Sequence, residues 1–370
     1  MRIAFVVHDY NRTFGHSRYV AELAERFSSD HEVHIFANTF AIEPPPGAIR
    51  HHVPALRMTA LTTIFSFVLP AGLLVRGAFD VVHAQGVVLP RADLITVHVS
   101  NLRWLDGRRR QNGRLGWRDR LCAGLVVPLE RHTYTRRDTS IIAISSALQR
   151  DLEAQYGCTG PIHVIHHGVD RRQFHAGVRS QHRAAARAEL GIAESEVVFL
   201  FVGDARKGAV QTMEALGKIP GRLVIVTRSD HGPLKEAARA AGVETRVALA
   251  PPTDRIERFY GAADVFVLPT PYDAFGMVVT EAMACGLPVI TTTAAGVSEV
   301  VADGRTGILL EDVADGEALA NAMRRFAEDA SFRRDAGAAA AQAMLDLSWD
   351  AVATRTMAVY QELVGGRGAR

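Results

Sequence analysis

The chain has 370 residues, which is long for a single hydrophobic core and favours two domains. Its composition, with 48% hydrophobic and 22% charged residues, excludes a disordered or fibrous protein. Because 42 basic residues nearly balance 40 acidic ones, the formal charge of +2 excludes a global attraction to nucleic acid or membrane. Any anion must therefore be bound by a local cluster of charge.

The first residues, MRIAFVVHDY, contain too few apolar residues for a signal peptide, and we expect them to form the first β-strand. The three cysteines, Cys122, Cys158 and Cys285, have no CxxC spacing and no histidine at metal spacing. This pattern indicates a reducing compartment and disfavours a structural zinc site. We therefore expect a cytoplasmic protein.

Short β-branched runs alternate with helical patterns through the first half of the chain. The runs are residues 3–7, 32–37, 80–84, 94–99 and 140–145. Between the first two, SRYVAELAERF has apolar residues at the three-four spacing of an amphipathic helix. Because the runs are apolar nearly from end to end, they predict a parallel sheet covered on both faces.

The most apolar stretch, residues 58–79, is interrupted by Pro70, Gly72 and Arg76. A membrane span needs about 20 consecutive apolar residues. We expect a buried or interfacial helix here, with membrane contact as the alternative.

The alternating pattern restarts in the second half, with strands predicted at 196–203, 222–227, 263–269 and 287–292. The fold class is therefore α/β, with two Rossmann-like, doubly wound domains. We place the first domain at 1–170, an interdomain linker at 171–195 and the second domain at 196–345. Ligands of such sheets bind beyond the carboxyl ends of the strands, so we expect a site in a cleft between the domains.

The stretch FVGDARKGAV follows a predicted strand and opens a predicted helix. Gly203 lies at the turn, and Arg206, Lys207 and Gly208 lie at the helix start. Two cations at the positive end of a helix dipole are unfavourable unless an anion joins them. The stretch therefore predicts a phosphate site, with a solvated basic turn as the alternative.

The stretch LPTPYDAFG also follows a strand and precedes a helical pattern. Gly276 permits a tight turn, and the backbone N–H groups of about Phe275 to Val278 form a second helix start that can bind an anion. Asp273 on the loop and Glu281 about one turn inside the helix can both reach one ligand. The alternatives are a helix N-cap for Asp273 and an exposed helical carboxylate for Glu281.

The first half contributes two candidate residues. Gly15 precedes a helix, where its backbone N–H can face the cleft, or it is an ordinary loop glycine. His98 ends a strand, where it can contact a ligand or be a satisfied structural residue. We take His83 as structural, and the pair His166 and His167 lacks a carboxylate at metal spacing, which disfavours a metal site.

Residues 103–120 carry seven arginines and two aspartates, with Trp104 and Trp117 between them. Basic and aromatic residues together can bind an anionic acceptor or lie on an anionic membrane surface. The alternative is a solvated, mobile loop.

These motifs together resemble the GT-B-fold glycosyltransferases of family 4, which are retaining enzymes that use nucleotide sugars. FVGDARKG and DAFGMVVTEAMACGLPVI carry most of the resemblance, and HDYNRTFGHSRYV, TVHVS, IHVIHHGVDRRQF and LSWDAVATRTMAVYQEL extend it over almost the whole chain. It implies a first domain that binds the acceptor and a second that binds the nucleotide sugar. It also implies that the last helix, residues 346–370, returns to the first domain.

The resemblance implies a role for each candidate residue. Arg206 and Lys207 would neutralise the donor diphosphate, which the amide of Gly15 would also approach. Glu281 would hold the ribose hydroxyls, and His98 would contact the donor sugar. Asp273 would bind sugar hydroxyls together with backbone amides. These amides would be those of Phe275, Gly276, Met277 and Val278.

The chain departs from the family pattern at three positions. Asp273 replaces the usual Glu and is one methylene shorter, so the sugar that is chosen can differ. Asp204 stands where the family has an arginine after its glycine, and Arg206 beside Lys207 can substitute for it. His167 replaces the asparagine of the family's NGVD sequence, and nothing in the sequence explains this change.

We therefore expect a retaining glycosyltransferase that moves a sugar from a nucleoside diphosphate, with UDP favoured, to a hydroxyl of a glycan or lipid-linked acceptor. Cell-envelope polysaccharide or lipopolysaccharide assembly would need such a reaction. No cofactor or metal is expected, because Arg206, Lys207 and two helix starts supply positive charge. Nucleic acid is not expected as a partner, and peripheral membrane contact would run through residues 103–120. The alternatives are a sugar-nucleotide 2-epimerase on the same fold and a non-catalytic binding relic.

Overall fold

The structure is a computed structural model and describes residues 1–112 and 116–368. Its strands in chain order are β1 (Arg2–Val6), β2 (Asp9–Tyr10), β3 (Glu32–Ala37), β4 (Thr39–Phe40), β5 (Ile49–His52), β6 (Val81–Gln85), β7 (Leu94–Val97), β8 (Ser140–Ala143), β9 (Ile162–Val164), β10 (Val198–Val202), β11 (Arg222–Val226), β12 (Val247–Ala250), β13 (Val265–Leu268), β14 (Val289–Thr292) and β15 (Gly307–Leu310).

The α-helices are α1 (Gly15–Phe27), α2 (Ala60–Leu74), α3 (Asn101–Asn112), α4 (Trp117–Tyr134), α5 (Ser146–Asp151), α6 (Gly177–Leu190), α7 (Ala209–Leu216), α8 (His231–Ala240), α9 (Glu257–Ala262), α10 (Met277–Ala284), α11 (Gly316–Glu328), α12 (Ala330–Ala343) and α13 (Trp349–Gly368). Short 3-10 turns occupy Ala205–Lys207, Glu244–Arg246 and Gly296–Val300, and a π-helical turn occupies Leu152–Tyr156.

The chain divides into two compact units. The first unit is Met1–Gly168 together with Trp349–Arg370, and the second is Val169–Ser348. Helix α13 therefore belongs with the N-terminal residues, where it packs on α1. Two buried hydrogen bonds fix it there: the Tyr19 hydroxyl lies 3.2 Å from Thr356 Oγ1, and the Tyr360 hydroxyl lies 2.7 Å from His83 Nδ1.

Residues 171–195, predicted as an interdomain linker, instead contain α6 and are folded within the second unit. Arg179, Arg183 and Arg187 lie at intervals of four along α6, so they share one face of the helix. All three donate hydrogen bonds to Asp264, at 3.0, 3.0 and 2.6 Å. The inward face of α6 therefore carries charge, and this is why its sequence resembles a solvated linker.

The first unit is built on a parallel sheet with the strand order β5-β3-β1-β6-β7-β8-β9. Its central strands are buried, which confirms the predicted parallel sheet covered on both faces. Strand β5, IRHH, was not predicted because its side chains are mostly exposed and it joins the sheet through its backbone. The order reverses beside β1, since β3 lies on one side of it and β6 on the other.

Two stretches of the first unit differ from expectation. In the stretch predicted as either a ligand surface or a loop, residues 103–112 lie in α3 and residues 117–120 lie in α4, while residues 113–115 lie outside the described residues. Within residues 58–79, Ala60–Leu74 form α2, as expected, but of the described side chains of α2 only Phe67 and Ala71 are buried. Helix α2 is therefore a surface helix rather than a core helix.

The second unit has a parallel sheet with the order β12-β11-β10-β13-β14-β15. The chain runs from β10 outward through β11 to β12 and then returns to β13 on the other side of β10. The loops that follow β10 and β13 therefore lie side by side at the point where the order reverses. In doubly wound sheets this point is the usual ligand site.

Gly208, in the loop that follows β10, lies against Pro269 in the loop that follows β13. Its φ of 103° is in the left-handed region that favours glycine. A Cβ atom at this position would lie 2.7 Å from the carbonyl oxygen of Pro269, which is closer than van der Waals contact. Only glycine therefore allows the two loops to approach this closely.

We expect Gly208→Ala to lower the free energy of unfolding by about 2–4 kcal/mol, because the new methyl group adds overlap with Pro269 to the cost of the left-handed backbone. Gly191→Ala is the matched control: Gly191 also has a positive φ, but open space surrounds its Cβ position. Urea unfolding of both variants measures the difference. Equal losses would show that the Pro269 contact relaxes.

Candidate functional site

The candidate site of the second unit lies where the sheet order reverses, between β10 and β13. The loop after β10 carries the basic residues of the predicted phosphate site. The loop after β13 carries Asp273 and leads into α10. The sequence placed both loops at the carboxyl ends of strands, and the sheet order makes them neighbours.

Arg206 is held by the aspartate that precedes it. Its Nε lies 2.8 Å from Asp204 Oδ1 and its Nη2 lies 2.7 Å from Asp204 Oδ2, so the guanidinium makes a two-pronged ion pair. Asp204 Oδ1 also accepts the backbone N–H of Arg206 and caps the 3-10 turn. Hydrogen bonding to Arg206 holds the pKa of Asp204 below its usual value.

Lys207 reaches across to the second loop. Its Nζ lies 2.6 Å from Asp273 Oδ2, in a partly buried pair that links the loops after β10 and β13. The two cations that the sequence placed at a helix start therefore lie on a 3-10 turn before α7, and each has a carboxylate partner.

Asp273 is not the N-cap of α10. The N-cap is Gly276, with a φ of 102° and no side-chain cap, so the alternative considered for Asp273 is wrong. The loop is anchored by its backbone, since Gly296 N–H donates to the Asp273 carbonyl and Val297 N–H donates to the Phe275 carbonyl. These bonds fix Asp273 so that its carboxylate meets Lys207.

Helix α10 begins at Met277, directly after this loop. The N–H groups of Met277 and Val278 lie in its first turn, where an α-helix offers no intrahelical acceptor. The predicted second helix start is therefore present, beside Asp273.

Glu281 is not an exposed helical carboxylate, because its residue is only 6% exposed. The Tyr260 hydroxyl on α9 donates to Glu281 Oε2 at 3.0 Å and orients the buried carboxylate. Sequence reasoning missed Tyr260. It lies in an amphipathic stretch where an aromatic residue is expected in the core, so no pattern distinguishes it.

In the first unit, Gly15 is the first residue of α1, and the N-cap residue Phe14 makes no side-chain cap. His98 directly follows β7. Its Nε2 lies 2.8 Å from Gln85 Oε1, and its Nδ1 lies 3.3 Å from His167 Nε2. Both ring nitrogens thus have protein partners, as in the structural alternative, and a sugar contact would require one partner to be exchanged.

The histidines at this edge of the first unit are held neutral by burial. Burial lowers the pKa of His98 well below its usual value, and neighbouring histidines lower it further. Burial also lowers the pKa of His167 and of His83 to about 3. His83 bonds Tyr360 and Thr96 through its two ring nitrogens, which confirms it as a structural residue.

Two family models cover both units of the chain. The model for Glycosyltransferase Family 4 matches residues 15–173, and the model for Glycosyl transferases group 1 matches residues 182–343. The chain belongs to glycosyltransferase family 4. It is therefore a glycosyltransferase rather than a sugar-nucleotide 2-epimerase.

Named relatives and solved structures agree with family 4. The chain is 27% identical over 387 residues to D-inositol 3-phosphate glycosyltransferase 1 of Catenulispora acidiphila, covering 95% of this chain and 91% of the relative. In seven other curated relatives the matched segment spans between 46% and 63% of the relative.

The solved structures show the GT-B fold. WaaG, a glycosyltransferase involved in lipopolysaccharide biosynthesis, superposes with a TM-score of 0.82 at 20% identity, covering 98% of this chain and 100% of WaaG. Anabaena HepE in complex with UDP-glucose superposes with a TM-score of 0.73 at 18% identity, covering 98% and 100%. Within the part of this family 4 chain that the structure describes, no helix is long and apolar enough to cross a membrane.

We expect acidification to destabilise the first unit. Its buried histidines have lowered pKa values, so below about pH 6.5 the unfolded chain binds protons that the folded chain does not. Each such histidine removes about 1.4 kcal/mol of stability per pH unit. Urea unfolding between about pH 7 and about pH 5 measures this slope, above the range where most carboxylates titrate.

His83→Gln should remove the uptake of about one proton on unfolding, so the free energy of unfolding should depend less steeply on pH by about 1.4 kcal/mol per pH unit. His132→Gln, at an exposed position in the same unit, is the control and should leave the slope unchanged. A slope that is insensitive to His83→Gln would contradict the assignment of the buried histidines as the groups that take up protons.

Proposed function

We propose that this glycosyltransferase transfers a sugar from UDP to a hydroxyl of a glycan or lipid-linked acceptor with retention of the anomeric configuration. The observation that carries the proposal is the meeting of Lys207 and Asp273 at 2.6 Å, at the point where the second sheet reverses its order. This contact supports the proposal because a cation suited to a diphosphate lies beside a carboxylate suited to sugar hydroxyls. HepE, solved with UDP-glucose, has the same fold and supports this donor class.

When the donor binds, its diphosphate would replace Asp204 as the ion-pair partner of Arg206. The side chain of Arg206 is 62% exposed, and exposed ion pairs contribute only about 0.2–1 kcal/mol. A diphosphate offers the guanidinium a two-pronged acceptor with more negative charge than one carboxylate. The exchange is therefore favourable, and Asp204 keeps the loop neutral until the donor arrives.

Lys207 and Asp273 would act together on the sugar end of the donor. Their pair is more buried than that of Arg206, so we propose that Asp273 keeps its contact with Lys207 and aims the ammonium group at the leaving phosphate. The second carboxylate oxygen of Asp273 would then accept hydrogen bonds from the sugar hydroxyls, and the backbone N–H groups at the start of α10 would donate hydrogen bonds to them. Glu281, oriented by Tyr260, would hold the ribose hydroxyls.

Transfer would proceed by attack on the face from which the nucleotide leaves. The bond between the anomeric carbon and the diphosphate oxygen breaks, the acceptor oxygen bonds to that carbon, and the departing oxygen takes the acceptor's proton. No protein nucleophile is required. Arg206 and Lys207 stabilise the charge on the leaving group, so we propose that no metal ion is needed.

In the first unit, the roles implied by the resemblance remain proposals. The amide of Gly15 would approach the diphosphate, and His98 would contact the donor sugar. As a neutral imidazole, His98 would offer a hydrogen bond rather than a charge. We also propose that the protein works at the cytoplasmic face of a membrane.

A panel of UDP-, GDP- and ADP-sugars tests the proposal. Thermal shift identifies the nucleotide, because a ligand at 100 times its Kd adds about 2.7 kcal/mol of stability. Transfer is then assayed with EDTA present, and nuclear magnetic resonance determines the anomeric configuration of the product. Inverted product, or activity abolished by EDTA, would contradict the mechanism.

The acceptor is tested separately with lipid-linked sugars and with inositol 3-phosphate. The name of the Catenulispora relative makes a phosphorylated polyol the second candidate acceptor. Transfer to inositol 3-phosphate alone would favour that candidate over a glycan or lipid-linked acceptor.

We expect Lys207→Ala to lower kcat/KM for the donor by a factor equivalent to about 2–5 kcal/mol, because it removes a cation from the leaving group and leaves Asp273 unpaired. Lys218→Ala is the matched control, since Lys218 pairs with Glu317 on the surface of the same unit. Normal turnover by Lys207→Ala would show that Lys207 does not bind the diphosphate.

Asp204→Asn should lower the donor KM with little change in stability. Asparagine can still accept the Arg206 N–H and cap the turn, but it no longer competes with the diphosphate for the guanidinium. Steady-state kinetics at low and high salt measure the effect, which should shrink as salt screens the charges. A raised KM would show that Asp204 positions Arg206 for the donor instead of competing for it.

Asp273→Glu should leave the fold intact and change the choice of sugar or the rate. The longer side chain moves the carboxylate by one methylene, while the loop stays anchored by its backbone bonds to Gly296 and Val297. Competition between UDP-glucose, UDP-galactose and UDP-N-acetylglucosamine measures the choice. Unchanged kinetics with all three would show that Asp273 does not contact the sugar.

A further inference from the structure

Helix α2 exposes apolar side chains to an unusual degree. It contains no charged residue, and Phe65, Leu69 and Leu73 lie on one side at intervals of four. Leu69 is 71% exposed and Leu73 is 58% exposed. A surface helix normally turns such a stripe toward the core. Helix α2 therefore presents to its surroundings the kind of surface that most helices bury.

Helix α4 carries a second apolar stripe. Trp117, Leu121 and Leu125 also lie at intervals of four, and Trp117 is 67% exposed. The three residues occupy the N-terminal half of α4, and Trp117 lies in the basic and aromatic stretch 103–120 of the sequence. We refer to Phe65, Leu69 and Leu73 as the α2 stripe, and to these three as the α4 stripe.

The two stripes lie on the same face of the first sheet. Crossovers between parallel strands are right-handed. The chain moves in one direction along the sheet from β1 through α1 to β3, and in the opposite direction from β5 through α2 to β6 and from β7 through α4 to β8. Helices α2 and α4 therefore share a face, and α1 with α13 covers the other.

Arginines flank the stripes along the chain. Arg57 and Arg76 bracket the uncharged segment that includes α2, and both are exposed, although Arg57 pairs with Asp9. On α3 and α4, Arg109 and Arg120 are exposed. An apolar surface that includes a tryptophan and is flanked by arginines matches the boundary between lipid headgroups and acyl chains.

We propose that the α2 and α4 stripes dock this protein on the surface of an anionic lipid bilayer. A second copy of the chain fits less well, because a two-fold contact through the same surface would bring the arginines of both copies together. The bilayer accepts the leucines and Trp117 into its interface, while its headgroups pair with the arginines.

The docking surface lies beside the edge of the sheet that carries the candidate site of the first unit. His8 follows β1, and its ring lies 4.7 Å from that of Phe67 in α2. The carboxyl end of β1 also leads toward Gly15. Docking would therefore hold this edge near the membrane, which suits a lipid-linked acceptor. This last step rests on the proposed function, but the lipid binding does not.

Flotation with vesicles tests the surface. The full chain is mixed with vesicles of phosphatidylcholine, or of phosphatidylcholine with phosphatidylglycerol, and we expect it to float with the anionic vesicles. Leu69→Glu with Leu73→Glu should reduce binding by at least about tenfold, because a charged side chain is costly in the interface. Ile49→Glu, at an exposed position on the edge strand β5, is the matched control and should bind normally.

Further variants separate the apolar and the charged contributions. Arg109→Gln with Arg120→Gln should weaken binding to anionic vesicles and remove the preference over neutral ones. Trp117→Ala should reduce binding without introducing a charge, which keeps the test valid if the double glutamate variant unfolds. Circular dichroism and the thermal shift with UDP verify folding of each variant.

Several outcomes would overturn the inference. Wild type that does not float with anionic vesicles would do so, as would a double glutamate variant that floats like wild type. A concentration-dependent dimer that the glutamates dissociate, without vesicle binding, would assign the surface to a second copy. If the wild-type protein neither binds UDP nor transfers sugar to a water-soluble acceptor, the proposed function is contradicted. The flotation result would still test the docking surface.

Discussion

The ion pair between Lys207 and Asp273 is the contact on which the candidate site depends. It joins two loops that follow neighbouring strands, and the close approach of Gly208 to Pro269 makes the contact possible. Backbone bonds from Gly296 and Val297 hold Asp273 in place. A cation and an acid that lie far apart in the chain therefore become one unit at the reversal of the sheet order.

The charge of this site is balanced before any donor binds. Arg206 is matched by Asp204, and Lys207 is matched by Asp273. Balance of this kind avoids the repulsion that two adjacent cations would otherwise cause, and it favours ligands with more than one negative charge, because such ligands can replace a carboxylate. Two departures from the family pattern, Asp204 and Asp273, thus supply the counter-charges for the two cations.

The first unit concentrates neutral histidines and exposed apolar helices near the carboxyl edge of its sheet. His98 and His167 contact one another, and His8 packs on Phe67 of α2. Burial keeps these imidazoles uncharged, so the edge offers hydrogen bonds rather than charge.

The sequence by itself determined the α/β class, the two parallel sheets, and the loops that carry Lys207 and Asp273, because buried strands and helix starts leave periodic patterns along the chain. Tertiary structure decided the partners: Arg206 with Asp204, Glu281 with Tyr260, and the arginines of α6 with Asp264. It also decided that α2 lies on the surface. Periodicity reports how many faces of an element are apolar, whereas the burial of a face depends on residues that are distant in the chain.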